Sequence, residues 1–383
     1  MRFVVTVMVR DEVDVIAAMV EHHLAQGADL IIATDNGSVD GTAEVLQSYA
    51  DLGALELHHD PVHRKQQHSV VTGMARRAYT EHAADWVINA DADEFWTPRD
   101  KSLTLRSALE AIPLSLNAFT APVTNLIGPP ALRGSGIDRL LWRDHRSAEQ
   151  LQSIGIYAQP TDDAVHRGAA DVVVAQGNHF VSLASQGQPD PAHALEVLHL
   201  PWRSWEQLER KVINAGRAYE ASPDLRPSKN HHGMADYRRH LAGRLRYAFL
   251  LRSPTEDELA EGESQGWVER DPWLRDHLHG LLETARIPGL LSANLDASKD
   301  EPFDPVEHRA AADLGRMFME LECERDAALR LADENHRKAA RIAKERDQAR
   351  AAARPLSAEV RRFTRRALRA VKRRLRRPPL RRN

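Results

Sequence analysis

Cysteine and long apolar runs are what this chain most clearly lacks. Its 383 residues include one cysteine, Cys323, so an internal disulfide is excluded and a reducing compartment is favoured. No stretch approaches the ~20 apolar residues that a membrane helix needs. Arg10, Asp11 and Glu12 interrupt the N-terminal apolar run after too few residues for a secretory signal. We therefore expect a cytoplasmic protein.

Two further absences narrow the possible functions. The first apolar run is not followed by the glycine-rich, basic loop with which dinucleotide folds and nucleotidyltransferases cradle phosphates. The arginine-rich C-terminus lacks a series of aromatic residues for base stacking, so a specific nucleic-acid partner is not indicated. The hydrophobic content of 42% is nevertheless enough for a sizeable core.

Apolar runs and helix-periodic segments alternate over the first hundred residues. The runs predict strands at residues 2–9, 30–33, 55–58 and 85–89, with helices between them. This alternation predicts an α/β fold with a mostly parallel sheet flanked by helices. Ligands of such sheets bind outside the carboxyl ends of the strands, which is where Asp11, Asp35 and Asp91 fall.

The segment Asp91-Ala92-Asp93-Glu94-Phe95 directly follows a predicted buried strand. Asp91 and Asp93 can both face a cleft where the chain bends at the strand end, while Glu94 is expected to face a supporting layer. Mg²⁺ and Mn²⁺ prefer such oxygen ligands and often share them with substrate phosphates. The pattern therefore predicts a site for Mn²⁺ or Mg²⁺.

These motifs have the order of a known signature series, which comprises Val9-Arg10-Asp11-Glu12, His23, Gly27, residues 35–42 and residues 91–95. Over residues 1 to about 100 the chain resembles glycosyltransferase family 2 and its relatives, and the resemblance continues more faintly through residues 199–204 and Lys211. It implies the Rossmann-like GT-A fold and a metal-dependent, inverting transfer of a sugar from a nucleoside diphosphate donor. Asp11 stands where the family often has Asn, and Asn36 where a second Asp is frequent, which alters the expected nucleobase contacts.

Residue chemistry and position give a set of candidate donor-binding residues. Asp35 and Asp11 can accept hydrogen bonds from a ribose or a base N–H, although each can equally cap its own turn or helix. Lys65, Arg203 and Lys211 offer positive charge to a diphosphate, although ordinary surface charges are the alternative. The candidates for donor binding are Arg10, Asp11, Glu12, Asp35, Asn36, Lys65, Asp91 and Arg203.

The second half of the chain offers a third metal ligand and a catalytic base. His199 follows an apolar stretch, so we expect it at a strand end, where it would bind the metal with Asp91 and Asp93, as a late His does in several GT-A enzymes. A His satisfied by other contacts is the alternative. His179 and Glu196 are the candidates for the base that takes the proton of the acceptor hydroxyl.

The C-terminal region has a composition of its own. From Arg354 onward it contains 13 Lys+Arg and one acid, Glu359. Apolar residues recur among the arginines every three or four positions, which is typical of a basic amphipathic helix on an anionic membrane, with a disordered tail as the alternative. The preceding helical segment partly fits a heptad, so self-association through a coiled coil and a charged spacer both remain open.

The sequence thus predicts a chain with several parts. They are a GT-A domain at 1–250 with a nucleotide-sugar half (1–100) and an acceptor half (101–250), a helical or irregular connection at 251–304, a long helix at 305–353 and a basic tail at 354–383. The predicted function is transfer from a nucleoside diphosphate sugar to a glycan or lipid-linked acceptor, in the cytoplasm or at the inner face of the membrane. A sugar-nucleotide nucleotidyltransferase and a non-catalytic scaffold are the alternatives.

Overall fold

A computed structural model of the chain describes residues 1–62, 66–157, 160–222 and 232–375. The strands are β1 (Phe3–Val9), β2 (Leu30–Asp35), β3 (Leu55–His59), β4 (Trp86–Ala90), β5 (Glu94–Pro98), β6 (Ala118–Ala121), β7 (Val123–Ile127), β8 (Ala131–Arg133), β9 (Trp142–Asp144), β10 (Asp163–Arg167), β11 (Leu195–His199), β12 (Val268–Arg270) and β13 (Glu301–Pro302). The α-helices are α1 (Ile16–Ala25), α2 (Thr42–Asp51), α3 (Gln67–Thr80), α4 (Leu105–Ala111), α5 (Ala148–Ser153), α6 (Trp205–Glu220), α7 (His232–Leu241), α8 (Leu245–Arg252), α9 (Glu256–Gln265), α10 (Trp273–Gly280), α11 (Pro288–Asn294) and α12 (Pro305–Leu375).

The main sheet has the strand order β3-β2-β1-β4-β10-β6, and its first four strands are parallel. Val9 of β1 pairs with Asp35 of β2, and Val7 pairs with Ala90 of β4, so the carboxyl ends of these strands meet at one edge. β10 runs antiparallel to β4, which brings its first residue, Asp163, to the same edge. The predicted α/β fold with a mostly parallel sheet is confirmed.

Side chains of a strand point alternately to its two faces, and helices pack on both faces of this sheet. Phe3 and Val5 of β1 lie in the larger core, together with Leu46 of α2. Val4 points the other way and packs with Met74 of α3 in a second cluster. Apolar residues occupy both faces of β1, as expected of a strand buried between two helical layers.

A second sheet with the order β12-β9-β7-β11-β5 continues from the end of β4. The turn at residues 91–93 leads straight into β5, and β11 pairs with β5 so that His199 lies opposite Glu94. β11 also pairs in parallel with β7, where His199 lies opposite Asn125. The junction of the two sheets therefore places His199 next to the aspartates of the turn.

The chain divides into two compact units, Met1–Met319 and Glu320–Asn383, and the boundary expected at residue 250 lies inside the first of them. Residues 251–304 are not a separate connection, because Leu274 and Leu278 of α10 are buried in the larger core and β12 pairs with β9. The apolar side chains of α10 therefore belong to the same hydrophobic core as those of β1.

The long helix expected at residues 305–353 extends further, since α12 continues to Leu375 and includes most of the basic tail. Residues 376–383 of the predicted tail lie outside the described part. Ion pairs one turn apart, such as Arg337 with Asp333 at 2.7 Å and Arg341 with Glu345 at 2.9 Å, support the exposed helix. Within the described ranges no helix is both long and apolar enough to cross a membrane.

Candidate active site

The loop after β2 is held by its own side chains. Both carboxylate oxygens of Asp35 accept backbone N–H groups, from Gly37 at 3.1 Å and from Ser38 at 3.2 Å, and Gly37 has the positive φ of 73° that favours glycine. Asn36 donates from its amide to the carbonyls of Asp60 and Val62. The turn-capping alternative for Asp35 is therefore what the structure shows, and Asn36 serves the same loop.

Asp11 links the loop after β1 to two other elements. It adopts the left-handed conformation, with φ of 56°, which turns its side chain toward the loop that follows β2. Its Oδ1 accepts the N–H of Val39 at 2.8 Å, and its Oδ2 accepts from the amide of Asn214 in α6 at 2.9 Å. Arg10 donates to the carbonyl of Asn36 at 2.5 Å. These two predicted donor-binding residues thus fix the loops at the carboxyl ends of β1 and β2.

Asp93 is buried and surrounded by positive charge. Its Oδ2 lies 2.5 Å from the Lys211 ammonium, 3.4 Å from the Arg203 guanidinium and 3.6 Å from Nε2 of His199. Burial alone would raise the pKa of Asp93, but Lys211, followed by His199 and Arg203, outweighs it and holds that pKa well below its ordinary value. Asp93 is thus an ionised carboxylate at neutral pH.

Arg203, a candidate for diphosphate binding, is enclosed by carboxylates of the protein. Its side chain is fully buried and forms ion pairs with Glu12 and with Asp14, the latter at 2.8 Å. Glu12 is almost as buried, and burial raises its pKa to about 7 against the opposing effects of Arg203 and Lys211. Arg203 therefore stabilises the turn at residues 91–93 through its ion pair with Asp93. Because its guanidinium is buried and paired with carboxylates, it is not available to a substrate.

Asp91 faces the opposite side of the turn and has neutral partners. Its Oδ1 accepts hydrogen bonds from Gln67 of α3 at 3.0 Å and from Asn178 at 3.2 Å. Its backbone N–H donates to Oε2 of Glu94 at 2.9 Å, so Glu94 supports the turn as expected. Burial and the neighbouring Asp93 raise the pKa of Asp91, and burial with Asp163 and Asp91 raises that of Glu94.

His179 forms a pair with a buried carboxylate. Its Nδ1 lies 2.7 Å from Oδ1 of Asp163, whose side chain is completely buried. This hydrogen bond is the main cause that raises the pKa of His179. A His that donates from Nδ1 to a carboxylate presents Nε2 as the nitrogen that accepts a proton, so this predicted base has the arrangement of a general base.

Glu196, the other predicted base, is placed unfavourably. It accepts from Arg143 at 2.8 and 2.9 Å and from Lys101 at 2.7 Å. Burial would raise its pKa, but these two cations lower it to about 2. Its side chain also lies on the face of β11 opposite to that of His199, because residues three positions apart in a strand point to opposite faces. A weakly basic, fully paired carboxylate is a poor proton acceptor.

The predicted metal ligands come together at one edge of the main sheet. Asp91, Asp93 and His199 have the oxygen and imidazole donors that Mn²⁺ accepts. Nδ1 of His199 bonds to Oδ1 of Asn125 at 2.9 Å, which leaves Nε2 toward Asp93. However, the Lys211 ammonium occupies the free side of Asp93, and among the described residues no three His, Cys, Asp or Glu side chains are arranged to hold a metal ion.

Several residues of this edge were not expected from the sequence. Asp163, Asn178, Asn125 and Asn214 belong to no recognised motif, and each reaches the site from a segment distant in sequence. Asn178 has a positive φ of 62°, an unusual backbone state that could have signalled it only after the fold was known. Lys65, a predicted donor-binding residue, lies outside the described residues.

Two of the cavities lined by described residues bear on the site. One of about 180 Å³ includes His179 and His199 in its lining. The other, of about 790 Å³, lies beside α1 and α11 and includes Asp14, Asn294 and Lys299. Neither cavity includes Asp91 or Asp93 in its lining, but the smaller one is linked to Asp93 through His199.

Comparison with known proteins agrees with the chemistry of this edge. Residues 3–117 match the family model of glycosyltransferase family 92, which supports transferase activity of the glycosyltransferase type without singling out family 2. No curated protein sequence gives a significant match.

Solved structures similar to the chain include S. aureus TarS. The fragment 1–349 of TarS has a TM-score of 0.33 and 13% identity, and the match covers 85% of this chain and 92% of that fragment. The same fragment in complex with UDP gives 0.32 and 12%, and in complex with UDP-GlcNAc 0.31 and 13%, with the same coverage.

Proposed function

We propose that this protein is a glycosyltransferase that moves a sugar from a nucleoside diphosphate donor to a glycan or lipid-linked acceptor. One observation carries the proposal: Asp91 and Asp93 end a parallel strand at the sheet edge where Asp11 and the loop of Asp35 also lie. Ligands of α/β sheets bind at this edge. The match to a glycosyltransferase family model covers the same residues, 3–117.

On the donor side, the chain offers positive charge next to paired carboxylates. Lys211 is the exposed cation of the cluster, since its side chain is 41% exposed whereas Arg203 is fully buried. An ammonium at this position can stabilise the negative charge that develops on the leaving diphosphate. Arg10 and the loop at 35–41 border the same edge and are assigned to the nucleoside.

On the acceptor side, His179 is assigned as the base. Its Nε2 accepts the proton of the acceptor hydroxyl while the hydroxyl oxygen forms a bond to the anomeric carbon. The bond between that carbon and the diphosphate oxygen breaks, and the diphosphate leaves with the electron pair. A single displacement of this kind inverts the anomeric centre and needs no enzyme nucleophile. Asp163 orients the imidazole through Nδ1.

A divalent cation remains a prediction from the sequence. The donors of Asp91, Asp93 and His199 suit Mn²⁺ or Mg²⁺, and such an ion would act as a Lewis acid on the diphosphate. In the structure the Lys211 ammonium lies against Asp93, one of the residues that would hold the ion. No step of the mechanism is therefore assigned to a metal ion.

The basic end of α12 supports a location at a membrane surface. Val360, Phe363 and Val371 are exposed on the helix and recur at intervals that place them on one side. Arginines fill most of the remaining positions, which suits anionic headgroups. We assign this helix to peripheral contact with the inner face of the membrane, where a lipid-linked acceptor would be presented.

A screen of nucleoside diphosphate sugars tests the proposed function. A donor that binds the folded protein alone raises its melting temperature by mass action, and release of nucleoside diphosphate in the presence of an acceptor shows transfer. The control is Asp93→Asn, in which we expect most turnover to be lost. A nucleotidyltransferase would instead consume a sugar phosphate with a nucleoside triphosphate. Binding without release, with several acceptors present, would favour a non-catalytic protein.

A further inference from the structure

The cavity of about 180 Å³ has a lining that suggests what it binds. We call it the histidine pocket, after His179 and His199. Pockets for drug-sized ligands have volumes of about 300–1,000 Å³, so this one accommodates a single small ring or part of a larger ligand. Its lining residues are Asn125, Leu151, Ile156, Pro160, Thr161, His179, His199, Pro201, Trp202, Asp236 and Arg252.

Two walls of the histidine pocket are joined to the aspartate turn. His199, in one wall, has its Nε2 3.6 Å from Asp93. His179, in another, directly follows Asn178, whose amide donates to Asp91. A ligand in the pocket therefore contacts walls that hold both histidines, and these walls are joined to Asp91 and Asp93. This is where the second substrate of a transfer reaction has to be held.

The polar groups of the pocket suit hydroxyl groups. Nδ1 of His179 is engaged by Asp163, so Nε2 is the ring nitrogen that a ligand hydroxyl can use. Asn125 accepts from His199 through Oδ1, and its amide nitrogen can donate to a ligand oxygen. Trp202 adds an aromatic wall, and the polarised C–H groups of a sugar ring pack well on such surfaces.

Arg252 and Asp236, two charged residues of the lining, are paired inside the protein, and Asp236 also accepts from the buried Arg239 at 2.8 Å. Arg252 donates to both carboxylate oxygens of Asp236 at 2.7 Å, and its other hydrogen bonds go to the carbonyls of Ile154 and Gly155. Each of its three nitrogens therefore has a protein partner, and both side chains are buried. A phosphate or carboxylate of a ligand would have to break this pair, which favours an uncharged ligand.

We propose that the histidine pocket is the acceptor subsite and binds one uncharged sugar ring, with its reacting hydroxyl directed at Nε2 of His179. This inference rests on the proposed function, because it assigns the second substrate of the same reaction. The hydroxyl proton passes to Nε2 as the oxygen attacks the donor sugar, and nucleoside diphosphate leaves, as described above.

The test uses the full-length protein, a panel of neutral methyl hexosides and their 6-phosphates. Binding is followed by ligand-observed NMR, and transfer by the KM for the acceptor in the presence of the donor found by screening. The variant is Trp202→Leu, and the matched control is Trp273→Leu, another half-buried tryptophan, which lies in α10 and is absent from the pocket lining. Melting curves of both variants report folding.

We expect at least one neutral hexoside to bind, its 6-phosphate to bind about tenfold more weakly or worse, and Trp202→Leu to raise the acceptor KM about tenfold relative to the donor KM, a change of about 1.4 kcal/mol. The Trp273→Leu protein should keep the wild-type values. Absence of binding by every neutral hexoside, preference for the phosphates, or equal acceptor KM in both variants would overturn the assignment. If no donor is turned over, the proposed function fails, yet NMR binding that is lost in Trp202→Leu still supports a sugar-binding pocket.

Discussion

At the scale of single residues, the central feature is the buried Asp93, which pairs with the fully buried Arg203 and with the partly exposed Lys211. Arg203 is enclosed with Glu12, Asp14 and Asp93 and holds its charge, whereas Lys211 reaches Asp93 from a partly exposed position. Removing one partner of a buried ion pair leaves an uncompensated charge, which is costly. We therefore regard Arg203 as fixed and Lys211 as the group that can move when a substrate or ion arrives.

The first prediction concerns competition between Lys211 and a divalent cation. If Mn²⁺ binds at Asp91 and Asp93, it must displace the ammonium, which lies 2.5 Å from the Asp93 carboxylate. Lys211→Met keeps much of the apolar stem and should bind Mn²⁺ about tenfold more tightly than the wild type. Calorimetric titration measures this, with Arg210→Met as the control, since Arg210 faces Asp40 instead. Equal Mn²⁺ affinities in the wild type and Lys211→Met would show that the ion does not bind there.

The second prediction concerns the protonation of His179. The charged groups that raise its pKa are Asp163, which bonds to it, and Asp91. Because the base must be neutral, kcat/KM should rise with pH through a His pKa above the ordinary 6.5. Asp163→Asn should move this rise to lower pH and also reduce kcat, since the imidazole is less well oriented. A pH profile of kcat/KM with the same midpoint in both proteins would contradict the role of Asp163.

The same pair makes a statement about stability. A His with a raised pKa in the folded state stabilises the protein below its unfolded pKa, and that contribution is lost as pH rises through the folded pKa. The melting temperature of Asp163→Asn should therefore differ most from the wild type in mildly acidic solution. Since the His179 side chain is 35% exposed, solvent weakens the effect, and we expect a small difference.

At this scale the sequence could predict features that depend on a local pattern, but not contacts between residues that are far apart along the chain. Asp91 directly follows β4, Asp93 directly precedes β5 and His199 ends β11, and each strand has a clear local pattern, so their meeting at one edge was predictable. The ion pairs of Arg203 and Glu196 could not be predicted, because their partners, Glu12 and Arg143, come from remote segments. Long-range ion pairs leave no periodicity in a single sequence.

At the scale of elements, helix α6 acts as a cover over the strand ends. Lys211 and Asn214 lie on one side of the helix and reach Asp93 and Asp11, which belong to different loops. The helix is capped at its N-terminus by Ser204, whose hydroxyl accepts the N–H of Gln207. The sequence indicated Lys211 by resemblance, but only the packing of α6 shows that one helix connects both loops.

The third prediction concerns the loop after β2, where Asp35 caps two backbone N–H groups. Asp35→Ala removes both hydrogen bonds and should cost about 1 kcal/mol in the free energy of unfolding, and it should weaken binding of nucleoside diphosphate because the loop loosens. Asp35→Asn retains an acceptor oxygen and should behave much more like the wild type. Calorimetry and denaturant unfolding measure the two effects. An equal loss of affinity in both variants, with unchanged stability, would instead indicate direct contact between the carboxylate and the donor.

At the scale of the whole chain, the C-terminal segment from Arg354 onward is strongly basic and the preceding part is acidic. Of the 52 basic residues 13 lie from Arg354 onward, together with one of the 55 acidic residues, so the preceding part carries 15 more acidic than basic residues. An acidic body is repelled by an anionic surface, whereas the basic segment is attracted to it. The asymmetry was evident from the sequence. The continuity of α12 through Leu375 was not, because the predicted break near residue 353 rested on composition alone.

The last prediction separates charge from apolar contact at that helix. Truncation after Ala353 should abolish flotation with anionic vesicles, and high salt should weaken flotation of the full-length protein because exposed charges are screened over about 10 Å at 0.1 M. A triple variant, Phe363→Ser, Leu368→Ser and Val371→Ser, keeps every arginine while removing three exposed apolar side chains. We expect it to float only at low salt, since the remaining attraction is Coulombic. Donor hydrolysis in solution should persist in all three proteins, because these residues lie outside the unit Met1–Met319 that contains the site. Equal flotation of the full-length and truncated proteins would reject α12 as the membrane contact, whatever sugar the enzyme transfers.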